Sequence, residues 1–262
     1  MPYAKLERAK KHITDFDTEW MSFVNRGGYL ILPKDDAQKG QRSYYLSAEE
    51  IPPVLSLIAG DAIQNLRSSL DHLAHHLVVL GKGRPGSFRH AYFPISESAA
   101  KYEAESPRKI AGMRQGAIDA INAIEPYQGG AGYTLWQLHE LNNIDKHRLI
   151  LTVYGELTGH SILPSQREQI TKNYLGSYPG GTAPDLSRLS IAPSRGRVCL
   201  KDGDILLTVP ISELEKYMNF VLGLSFGEPK IVYGDPVIHT LNRMAQFVET
   251  ILRQFEILGL LA

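Results

Sequence analysis

The stretch that most constrains the fold is residues 60–76, GDAIQNLRSSLDHLAHH. Turned by about 100° per residue around a helix axis, Ile63, Leu66, Leu70, Leu73 and Leu77 fall on one face, which must be buried. Asp61, Asn65, Ser68, His72, His75 and His76 form a second, polar stripe. Arg67 and Asp71 make a third edge, four residues apart, where the two can pair. Gly60 weakens such a helix, which points to a close neighbour, either another backbone or a ligand. Ser47 with Glu50 has the form of a capping box, and Pro52 and Pro53 suit a first helical turn. The helix is therefore expected to begin near residues 51–54 and to run to about Leu80, where Gly81, Gly83 and Pro85 end it.

A helix with one apolar face needs partners, and the chain supplies them. Leu6, Ala9, Ile13, Phe16, Trp20 and Phe23 recur at spacings of three and four and stop at Gly27 and Gly28. That seam suits either a bundle or a second copy of the chain. Ser106 and Pro107 read as a cap and a first-turn proline, opening a helix with Ile110, Met113, Ala117, Ile121 and Ile124 on one face and Pro126 at its end. The glycine-rich residues 129–132 read as a connector to another helix over about residues 133–147. Pro236 opens a last helix, with Leu241, Met244, Val248, Ile251, Phe255 and Leu258 as its apolar face.

Elsewhere the period is shorter. Residues 29–32 and 43–46 are β-like runs that suggest a hairpin, and 149–154, 198–200, 205–209, 217–226 and 231–233 are further candidate strands. Asp202 and Gly203 mark a turn. Residues 164–193, rich in Ser, Pro and Gly, read as a surface excursion or a partly disordered segment. The expected class is α+β, a helical bundle with an appended antiparallel β-sheet. The expected division is a bundle over 1–147 with a hairpin near 29–46, a β-rich segment over 148–234, and a C-terminal helix over 235–262 that packs back on the bundle.

With 28 basic and 28 acidic residues in 262, global charge gives no reason for nonspecific attraction to nucleic acid or to an anionic membrane. A local patch would be needed, and Lys82, Arg84, Arg89 and His90 are one dense cluster, either a solvated loop or a phosphate-contacting edge. The single cysteine, Cys199, excludes an internal disulfide and reads as a buried apolar thiol. No apolar run spans a bilayer and the N-terminus is not a secretory signal, so a cytoplasmic protein without a membrane partner is expected.

The chemistry-bearing residues lie in two places. Besides the stripe at 61–76, residues 138–148 carry Glu140, Asn143 and His147 on one helical face with Trp136, with His139 at its margin and Asp145 pointing away. If the two stripes meet, they form one polar site within the bundle. Three readings are open. A hydrogen-bonded network can fix helix register, making the chain a non-catalytic structural or interaction protein. A metal-binding bundle enzyme can use histidines one turn apart, such as His72 and His76, although no Glu-x-x-His pair lies in either stripe and Asn is a poor transition-metal ligand.

The third reading is a resemblance. Arg67, four intervening residues and His72 on a helix resemble the signature of HEPN domains, helical bundles that include metal-independent endoribonucleases of toxin and phage-defence systems. The wider pattern, with Gly60, Asp61, Asn65 and residues 143–148, resembles a group of uncharacterised bacterial and phage proteins. The resemblance implies an RNA-cleaving or RNA-binding protein without a cofactor or metal. It casts His72 as acid or base and Arg67 as the cation that meets phosphorane charge. Asn65, Asp71, His76, Asn143 and His147 are the supporting residues. Five residues along a helix separate Arg67 and His72 by about 140°, so two copies pairing their motifs, a homodimer, is part of the expectation.

Overall fold

The computed structural model describes residues 1–81, 87–148, 151, 153–186, 189–192, 199–214, 218–228 and 230–261; for residues 87, 147 and 148 the description covers the backbone alone. The protein is α+β and divides into two compact units. The first comprises residues 1–20, 52–153 and 226–262; the second comprises 21–51 and 154–225. No described helix is long and apolar enough to cross a membrane.

Helix α1, Pro2–Asn25, buries Leu6, Ala9, Ile13, Phe16, Trp20 and Phe23, as their spacing requires. It ends because Gly27 takes a positive φ of 92° and the Gly28 amide returns to the Phe23 carbonyl at 3.0 Å. A Cβ at Gly28 would collide with the Phe23 ring.

Helix α2, Pro53–Leu80, is the centre of the first unit. It packs on α5, Tyr133–Arg148, and on α7, Val237–Ile257. Ile63, Leu66, Leu70, Leu73 and Leu77 are all buried, each contributing about 1.5–3 kcal/mol through removal from water. Facing them are the buried residues Leu135, Leu138 and Leu141 of α5, and Leu241, Met244, Val248, Ile251 and Phe255 of α7. Leu258 lies beyond that seam and is exposed. Polar contacts bring α1 alongside: Ser69 Oγ donates to the Pro2 carbonyl at 2.9 Å, and Lys10 bridges to Glu249 at 3.0 Å.

Two helix starts differ from expectation. Ser47 lies in a β-strand, Gln41–Ala48, and caps nothing; Pro52 is the N-cap of α2, with Pro53 at the first helical position, where its missing N–H costs nothing. Pro107 does not open a helix. It sits in the last turn of α3, Ala99–Lys109, whose N-cap is Ser98, accepting from the Lys101 amide at 3.3 Å. Pro107 withdraws one donor near the helix end, where residue Glu103 is exposed and water can replace it. A separate helix α4, Gln115–Ala123, carries Ala117 and Ile121 into the core.

In the second unit, β1 (Tyr29–Asp36) and β2 (Gln41–Ala48) form the expected hairpin, closed by a two-pronged Asp35–Arg42 ion pair at 2.6 and 2.9 Å. β5, Ile205–Pro210, adds to the other edge of β2, so the hairpin belongs with the β-rich segment and not with the helices. A second sheet has the order β4-β3-β6, from Ser190–Ile191, Val153–Ser161 and Phe220–Phe226. Residues 231–233 form turns. The parts of the expected strands at 149–150, 152, 198 and 217 lie outside the described residues.

The Ser-, Pro- and Gly-rich segment contains a helix that periodicity did not reveal, α6, Pro164–Ser177. None of its residues is buried, so it has no apolar stripe to find. Its start is local: Pro164 fills the first position, and the Leu163 amide donates to Gln166 Oε1 at 2.9 Å. Cys199 is exposed rather than buried, and among the described residues its run makes an isolated bridge to Glu156.

Candidate functional site

The site begins with the two sides of α2 that flank its leucines. Arg67, next to core Leu66, is drawn inward and is only 7% exposed. A guanidinium held there needs partners. Its Nη2 donates to the Phe93 carbonyl at 3.0 Å, and its Nη1 lies 2.7 Å from Asp71 Oδ1, a charge contact rather than an aligned hydrogen bond. The Phe93 amide donates to the same Asp71 oxygen at 3.0 Å. Both backbone polar groups of Phe93 are thereby fastened to α2, while its side chain is fully buried. Burial pulls the Arg67 guanidinium down and pushes the Asp71 carboxyl up, and their mutual attraction opposes both shifts.

Helix α5 faces this edge. His139 is largely buried, and Asn143 Nδ2 donates to its Nε2 at 3.3 Å. That bond makes Nε2 the acceptor and leaves the proton on Nδ1, which is buried without a partner. Burial, and then the positive charges of Arg67, Lys109 and Lys146, lower the His139 pKa to about 4, so the ring is neutral at pH 7. The close approach expected at Gly60 comes from the same helix: a Cβ there would collide with the Asp145 carboxylate. Asp145 thus turns toward α2, contrary to the helical-wheel expectation, and burial followed by the charge of Asp61 raises its pKa.

The histidine stripe lies elsewhere. His72 and His75 are exposed, and His75 meets the Phe88 ring at 5.5 Å. Asn65 donates to the Asp61 carbonyl at 2.8 Å and accepts from Lys5 at 3.5 Å, and His76 Nε2 lies 3.3 Å from the Leu261 carbonyl. The structure therefore brings together Arg67, Asp71, His139 and Asn143, and it leaves His72, Asn65 and His76 on other sides of α2. The side chain of His147, and residues Lys82 and Arg84, lie outside the described residues. Among the described residues, no group of three or more His, Cys, Asp or Glu side chains is placed to hold a metal ion.

Two participants escaped the sequence. Phe93 acts through its backbone, which no side-chain pattern reveals. His139 had a signal, the i,i+4 spacing to Asn143, but its wheel position at the margin of the stripe hid its burial. No family model matches the chain, and no curated protein or solved structure matches it at a significant level.

Proposed function

We propose that the chain is a HEPN-like RNA-binding or RNA-cleaving protein acting in the cytoplasm, and that the exposed side of α2 at His72 meets the substrate. The observation that supports this reading is the contrast within the Arg67-to-His72 motif: a braced, buried Arg67–Asp71 pair directly precedes an exposed imidazole. An exposed imidazole offers a substrate both a hydrogen-bond donor and an acceptor. His72 can accept the 2′-hydroxyl proton as that oxygen attacks the adjacent phosphate, or donate to the departing 5′ oxygen, without metal.

In this reading Arg67 is a positioning residue. Its nitrogens are committed to Asp71 and Phe93, so the cation for the phosphorane comes from elsewhere on the surface or from a second copy, and a homodimer remains part of the proposal. Toxin or phage defence is the setting that the motif suggests. A second reading, a structural network that fixes the 91–95 segment to α2, is favoured by the burial of Arg67 itself.

The test is incubation of the purified protein with unmodified RNA in the presence of chelator. Cleavage by the wild type, and its loss in His72→Ala with an unchanged melting temperature, is the expected result. Intact RNA after wild-type treatment across pH and salt would sink the nuclease reading and leave the structural one.

A further inference from the structure

The clamp at Phe93 positions a surface that the histidine stripe alone does not explain. Immediately before it, the 3-10 turn Ser87–His90 packs against both α2 and α3. Phe88 is 41% exposed and Tyr92 is 52% exposed, both large aromatic rings left open to water. The Phe88 ring is steadied by His75 at 5.5 Å with a 44° tilt. Tyr92 is one residue from the Phe93 amide held by Asp71.

Cations surround these rings. Arg89 and Arg108 are exposed, and Arg108 Nη2 lies against the His90 ring, 2.9 Å from Nε2 and 3.2 Å from Nδ1. Two carboxylates on the same helices are paired, Asp71 with Arg67 and Glu105 with Lys109 at 3.1 Å. Exposed guanidinium groups and open aromatic rings thus occur together in a chain with no net charge. Single strands are bound by this combination, since bases stack on open rings while cations follow the phosphates.

We infer that Phe88 and Tyr92, with Arg89, Arg108 and the exposed His72 and His75, form a stacking platform for single-stranded RNA. The Arg67–Asp71 clamp on Phe93 holds the platform against α2. The inference rests on the RNA reading above, and it names the substrate form, an unpaired strand, and the groups that grip it. A duplex hides its base faces and has nothing to offer Phe88 and Tyr92.

The deciding experiment uses a fluorescent 2′-O-methyl oligouridine of about 10 nucleotides, within the span that single-strand grooves cover. It cannot undergo 2′-hydroxyl attack, so binding is read apart from cleavage. Anisotropy titrations are expected to show Phe88→Ala and Tyr92→Ala each about 10-fold weaker than wild type, and Tyr92→Phe close to wild type. Arg89→Ala and Arg108→Ala are each expected to reduce the slope of log affinity against log salt by about 0.7. A duplex of equal length should bind more weakly. Wild-type affinity in both aromatic variants, with melting temperatures unchanged, overturns the platform, as does a wild type that ignores the oligonucleotide. Failure of the nuclease reading proposed above has a different signature, in which the modified strand is bound and unmodified RNA stays intact.

Discussion

The two polar edges of α2 share a helix and five residues of sequence, yet their surroundings are opposite. At Arg67 and Asp71 the charges are withdrawn from water, facing His139 and Asn143 of α5 and tied to both backbone groups of Phe93. At His72 and His75 the rings stand in solvent. One edge is chemistry turned into structure, because Arg67 and Asp71 hold each other and the Phe93 backbone. The other edge retains groups free to meet a ligand. A motif that looks like one functional unit in sequence is divided by the helix into a brace and a surface, and the following tests bear on that division.

The largest effect is expected from the brace. Arg67→Ala removes the guanidinium and leaves the Asp71 carboxylate, itself largely buried, and the Phe93 carbonyl without their partner. The loss should be about 3 kcal/mol, read from urea denaturation. Replacing the pair together, Arg67→Met with Asp71→Leu, should recover much of it, since apolar residues of similar size need no partners. A loss below about 0.5 kcal/mol in Arg67→Ala would erase the distinction between the two edges.

The second test is pH. In the folded chain His139 titrates at about 4, against 6.5 for the free side chain, chiefly because it is buried. Between those values the unfolded chain binds a proton that the native chain refuses, so the slope of stability against pH is positive there. Stability should fall by about 3 kcal/mol as pH drops from 6.5 toward 4, and His139→Gln, measured over the same range, should flatten that part of the decline. An unchanged slope in the variant would show that His139 is not the buried group at this edge. A smaller effect belongs to His76, whose Nε2 lies 3.3 Å from the Leu261 carbonyl. His76→Ala should cost about 0.5–1 kcal/mol, accompanied by faster amide exchange over the last turn of α7.

How much of this was legible in sequence depends on what carries each feature. Leucine spacing placed α2 and its buried face because a 3.6-residue period leaves a direct trace. Arg67 with Asp71 was legible as a pair, since residues four apart on a helix meet. That the pair is buried was not, because burial here is imposed by the 91–95 segment, 22 residues away in the chain. Asp145 was assigned the wrong direction by a single-helix wheel, which takes no account of Gly60 opening a gap for it on the neighbouring helix. Helix α6 left no trace because it buries nothing, and the apolar run around Cys199 misled because its described residues make one isolated bridge and leave the thiol exposed. For Arg67 and Asp145 the missing information belonged to a partner element, not to the segment itself.

The smallest structural effect, and the sharpest separation, is expected at His72. The ring is exposed and, among the described residues, no hydrogen bond depends on it, so His72→Ala should change stability by less than about 0.5 kcal/mol. The same change should abolish RNA cleavage, if the exposed edge is where substrate is met. His72→Ala and Arg67→Ala thus form a pair whose effects run in opposite order: the exposed residue costs activity and almost no stability, whereas the buried one costs stability, and activity only as far as the platform at Phe88 and Tyr92 loosens. Measuring melting temperature and cleavage on both variants under one buffer sets that order directly. Equal stability losses at the two positions would mean that the motif is a single structural unit after all, with nothing on α2 left free to act.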